Sequence, residues 1–151
     1  MTSISRLFSR MATGLVLAGF GTLALAQSPN VSIDKAWVRW LPSELPAAGY
    51  LTITNHGAQP VDLVGITSPD YGMAMLHQTT TEGSTAKMAM VAKLTVPAHG
   101  KVAFTPGNYH VMLEQPKHAI APGDNIKLLL TFSDGETVIA PMAVKPPGTT
   151  E

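Results

Sequence analysis

Cysteine is missing from all 151 residues, and that one absence excludes several chemistries at once. Disulfide frameworks, zinc fingers, iron–sulfur clusters and thiol catalysis all need the thiol. Blue-copper electron transfer needs a cysteine thiolate as well. Charge is also scarce: charged residues make up 13% of the chain, ten basic against ten acidic. With no basic run to meet a polyanion, nucleic acid is excluded as a partner. The acids are scattered, and none has a neighbour suited to general acid–base work, so the chain does not read as an enzyme. Against these scarcities stand 8 Met and 5 His.

A long uncharged, apolar run lies near the start. Arg6 and Arg10 precede Met11–Leu25, which carries no charge, and Ala24-Leu25-Ala26 precedes Gln27. A basic start, a short apolar stretch and an A-x-A site predict a cleaved secretory signal over 1–26. The stretch is shorter than the roughly 20 residues needed to cross a bilayer, so no membrane anchor is expected. No cysteine follows the cleavage site, which leaves no point for lipid attachment there. Residues 27–151 are then one soluble, exported domain.

Turn residues punctuate that domain at short intervals, among them Asn55-His56-Gly57, Glu82-Gly83, Pro106-Gly107-Asn108, Pro122-Gly123-Asp124 and Asp134-Gly135. The runs between them predict strands near 31–39, 48–55, 61–67, 73–79, 86–95, 101–105, 109–114, 125–132 and 137–144. Such spacing, with no helical stripe, favours an all-β sandwich or barrel. In 125–132, Ile126, Leu128, Leu130 and Phe132 share one face by period-2 alternation and are expected in the core. Trp37 and Met142 are expected there too, whereas Trp40 fits either the interior or a partner surface.

Strand 109–114 places Tyr109, Val111 and Leu113 inward, which turns His110 and Met112 toward the surface or a shallow pocket. Two residues apart, their Cα atoms lie roughly 6.5–7 Å from each other, close enough to share one ion. His77 and Met88 flank an expected loop over 79–86 that would bring their strands together. Imidazole nitrogen with thioether sulfur selects Cu(I), or Ag(I) in its place, over hard cations. Zinc takes thioether poorly. Met73, Met75 and Met90 share strand parity with these residues. They are read as ordinary packing, with a place at the mouth of the site as the alternative. His56, His99 and His118 sit in turn or loop contexts and are read as structural.

The order His77, ten residues, Met88, twenty-one residues, His110-Val111-Met112 resembles the H-x10-M-x21-H-x-M pattern of the PCuAC family of periplasmic copper(I) chaperones. Four preset positions would agree by chance with a probability on the order of 10⁻⁴ over all starts. Ala36-Trp37-Val38-Arg39, Gly49-Tyr50-Leu51-Thr52, Met75-Leu76-His77, Val96-Pro97-Ala98-His99-Gly100 and Pro122-Gly123-Asp124 extend the resemblance along the chain. It implies a cupredoxin-like, Greek-key β-barrel carrying Cu(I) as cargo on His77, Met88, His110 and Met112. It also implies a periplasmic location and delivery to a copper-accepting protein, the dinuclear centre in subunit II of cytochrome c oxidase or a Sco-type partner. The tail Lys145–Glu151 lacks the His and Met of relatives that bind a second, oxidised ion. Two rivals stand beside that reading: a periplasmic copper store or resistance protein, and a metal-free β-sandwich binding module.

Overall fold

A computed structural model describes residues 30–42 and 45–151, and within them the chain forms ten strands and no helix. The expected signal over 1–26 lies outside the described residues. The strands are β1 (Val31–Arg39), β2 (Ala47–Asn55), β3 (Val61–Thr67), β4 (Tyr71–Glu82), β5 (Thr85–Met90), β6 (Leu94–Val96), β7 (Lys101–Ala103), β8 (Tyr109–Pro116), β9 (Asn125–Phe132) and β10 (Thr137–Lys145). They hydrogen-bond in the order β5-β4-β8-β2-β1-β10-β9-β3-β6, with β7 paired to β2. Every pairing is antiparallel except that of β1 with β10.

This long sheet curls over so that its far end meets its middle. The Asn55 side chain at the end of β2 donates to the carbonyls of Val96 and Pro97, at 3.3 and 3.2 Å, beside β6. Folding the sheet over lets one face of every long strand share a single interior. The alternation read from β9 holds, with Ile126, Leu128, Leu130 and Phe132 all buried. Leu51, Ile53, Leu63, Leu113 and Met142 pack into the same core. Trp37 is buried as well, its ring 4.7 Å from that of Tyr50, while Trp40 is half-buried.

Two of the three histidines read as structural tie segments together through polar contacts. His56 Nε2 lies 2.8 Å from the Ser32 hydroxyl. His118 presents Nε2 to the Asp70 carboxylate at 3.0 Å and Nδ1 to the Ala119 carbonyl at 3.1 Å, pinning the β3–β4 turn to the segment after β8. Two acceptors on one ring suit the imidazolium, and the bond to Asp70 raises the His118 pKa. Burial pushes Asp70 upward, but hydrogen bonds from His118 and the Lys127 amide outweigh it and hold the carboxyl low. The histidine contribution is therefore full below its unfolded pKa and fades as pH rises through the folded one. The aspartate contribution is full above its unfolded pKa and fades in acid. Their overlap lies near about pH 5. His118→Ala should accordingly lower Tm more at pH 5 than at pH 8; equal losses at both would refute the assignment.

Candidate metal centre

The end of the sheet made by β5, β4 and β8 carries the candidate ligands. In the β4–β8 ladder His77 stands opposite His110, and Met75 opposite Met112. In the β4–β5 ladder His77 stands opposite Met90, and Thr79 opposite Met88. Cross-strand partners point to the same side of a sheet, and alternate residues return to it. Met75, His77, Met88, Met90, His110 and Met112 thus occupy one continuous face.

The expected loop over 79–86 does not form. β4 runs on to Glu82 and turns back through Gly83 and Ser84, with Thr85 paired to Glu82. Gly83 has φ of +63° and Ser84 does not have a positive φ, the pattern of a type II′ hairpin turn, whose twist matches that of its strands. Nothing lies within 4 Å of a Cβ placed on Gly83, so only the backbone opposes a side chain there. Gly83→Ala should cost about 1 kcal/mol in chemical denaturation, with Gly83→Asn costing less. The expected strand over 86–95 also divides. The Val91 amide donates to the Leu76 carbonyl at 2.8 Å, after which the chain leaves β4 and pairs β6 with β3.

Met88, His110 and Met112 line one open cleft of about 510 Å³, together with Arg39, Tyr50 and Thr79. His77 is not among the lining residues but borders the cleft through His110. Their ring centroids lie 5.8 Å apart and their planes meet at 79°. Three of the four candidate ligands therefore share a cavity, and the fourth abuts it. Of the two places expected for His110, surface or shallow pocket, the structure takes the pocket: the ring lines the cleft and is only 7% exposed. Met112 is half-buried and Met88 is 56% exposed. The packing role read for Met73 and Met90 fails: they are 38% and 69% exposed on the outward face.

Both imidazoles have polarity left to satisfy. His110 Nδ1–H donates to the Asn108 carbonyl at 3.3 Å. A carbonyl can only accept, so that bond fixes the tautomer and leaves the Nε2 lone pair free for a metal. Burial lowers the His110 pKa, the Asn108 bond opposes this, and the nearby His77 and Arg39 lower it further. The ring is thereby kept in the neutral form a metal requires. In His77, Nδ1 is buried and has no hydrogen-bond partner, a debt that an interior polar atom normally does not carry.

Sequence reasoning passed over two residues of this cleft as site residues, Arg39 and Tyr50. The Arg39 guanidinium hydrogen-bonds the Tyr50 hydroxyl and also lies 5.2 Å from the centre of its ring. Burial pushes the Tyr50 pKa up, and Arg39 partly offsets this. Both residues lie in segments that carry the family resemblance. Only the pairing of β2 with β1 and β8 reveals that they face the ligands.

The family model described as putative lipoprotein LpqE-like matches residues 31–144. A putative lipoprotein of Leifsonia xyli subsp. xyli, Lxx21020, is 31% identical, covering 95% of this chain and 92% of that one. The solution structure of DR1885 from Deinococcus radiodurans with Cu(I) is 36% identical, with a TM-score of 0.63, covering 80% of this chain and 81% of that one. The apo PCuAC domain of PmoF2 has a TM-score of 0.68 at 23% identity, covering 82% and 95% of the two chains. That last likeness bears on the fold, which is cupredoxin-like and all-β.

Proposed function

From the premise that this chain belongs to the LpqE-like family, a family of the PCuAC type, we propose that it carries one Cu(I) ion on His77, Met88, His110 and Met112. The observation that carries this reading is the shared cleft of Met88, His110 and Met112, with the ring of His77 against that of His110. The Cu(I) form of DR1885, 36% identical, supports the choice of ion. Thioether and imidazole are the soft and intermediate donors that Cu(I) favours, and both are neutral, so the bound ion keeps its positive charge. An acceptor with thiolate donors binds more strongly and can take the ion by exchanging one donor at a time. Exposed Met88 is the donor such an acceptor reaches first. The chain acts in this reading as a carrier and not as an enzyme.

The finer parts of the proposal are the site of action and the recipient. The basic, apolar and A-x-A pattern over 1–26 supports export to the periplasm as a single domain of residues 27–151. Within the periplasm, the recipient in this reading is the dinuclear copper centre of cytochrome c oxidase, reached directly or through a Sco-type protein. The test is anaerobic titration of the protein with reduced copper, read by X-ray absorption. One equivalent with sulfur and nitrogen scatterers in similar number is expected. Sulfur and nitrogen signals absent from the bound ion would overturn the ligand set. Copper transfer to a reduced oxidase fragment separates delivery from storage, since a store retains its ion.

A further inference from the structure

We propose that Met75 and Met90 form a second holding position for a monovalent soft ion, a thioether pair beside His77, with Met90 across the strand from it on the side away from His110 and Met75 on its own strand, opposite Met112. The inference takes from the proposed function only the class of ion, and none of its sulfur ligands. Met90 stands directly opposite His77 across the β4–β5 ladder, and Met75 lies two residues before His77 on the same face. Met75 and Met90 are therefore diagonal neighbours, roughly 7–8 Å apart at Cα, within reach of long side chains. Both line a second, separate cavity of about 170 Å³, whose other walls include Val64, Ile66 and Val91. No other side chain lining this cavity carries a metal-ligating group, so the two thioethers are its only side-chain donors.

Packing does not account for Met90, the outer member of the pair, while Met75 is half-buried. Methionine serves as an interior filler because its flexible stem suits irregular gaps, yet Met90 is 69% exposed at the sheet edge. A lone exposed methionine would be unremarkable. Here two thioethers share one cavity beside an imidazole whose Nδ1 is buried and unpartnered. Thioether sulfur selects Cu(I) among biological ions. Movement between the two positions is a substitution of neutral donors around His77. Copper remains Cu(I), and no electron or proton changes hands.

The test is the methyl spectrum of the full chain labelled at methionine Cε and titrated with Ag(I). The signals of Met88 and Met112 should move up to the first equivalent. Those of Met75 and Met90 should move chiefly between the first and second, with an affinity weaker by about tenfold or more. Buried Met142 should stay still throughout. Met75→Leu/Met90→Leu should remove the second step and leave the first. Met75 and Met90 signals fixed at every ratio, or a second step that persists in the double variant, would overturn the inference. Movement of Met75 and Met90 without Met88 and Met112 would instead sink the ligand set proposed above and leave this pair standing.

Discussion

Replacing His110 and Met112 together by alanine should weaken Cu(I) binding by more than about a hundredfold, measured by competition with a chromophoric Cu(I) chelator. Losing a group that merely orients a ligand already costs about 10–100-fold in metal affinity, and this variant removes two donors outright. The two residues stand on β8 at the middle of the ligand face, with His77 opposite one and Met75 opposite the other. Without them His77 and Met88 have no donor between them, and Met75/Met90 offers only the weaker position. The fold should survive. His110 makes one side-chain hydrogen bond, to the Asn108 carbonyl, and the core side of β8, Val111 and Leu113, is untouched. A double variant with a native near-ultraviolet spectrum and an affinity within about threefold of the parent would remove His110 and Met112 from the ligand set.

Phe132→Ala should be the most damaging single change to stability, about 3–5 kcal/mol, or roughly 10–20 °C in Tm. Phe132 is 1% exposed, ends the buried stripe of β9 and opposes Leu63 of β3. Its removal leaves a cavity where the sheet curls over, and strands fixed by ladders on both edges cannot collapse to fill it. Ile139, on neighbouring β10 but 59% exposed, supplies the control, since Ile139→Ala should fall within about 0.5 kcal/mol of the parent. In strand order β9 is five places from β4, so the copper affinity of folded Phe132→Ala protein should match the parent. A loss below about 1 kcal/mol in denaturant titration would show that the site relaxes more fully than a close-packed interior allows.

Much of this architecture follows from local rules. Period-2 alternation in Asn125–Phe132 fixes which side of β9 is core, and the predicted bounds 31–39, 61–67 and 125–132 coincide with β1, β3 and β9. Turn residues with a positive φ, Gly83, Gly107, Gly123 and Gly135, fall between strands where the punctuation places them. Local rules failed at β4 and β5 for an identifiable reason. The threonines of Thr79-Thr80-Thr81 are as compatible with a polar edge strand as with a loop, and only pairing with Thr85–Met90 decides between them. For His110, alternation leaves surface and shallow pocket both open; the structure decides for the pocket, where the ring lines the cleft with Arg39 and Tyr50 and is 7% exposed.

By itself, the order of residues determined the donor types, the all-β class and the exclusion of thiolate chemistry, because composition and strand period are properties of neighbouring positions. Which donors meet was decided by tertiary structure. His77 opposes Met90 and His110, Met88 reaches the cleft past Thr79, and Met75 joins Met90 at a cavity of its own. Register between strands far apart in the chain is set by the burial of whole faces against one core, and that balance belongs to the assembled sheet rather than to any one segment.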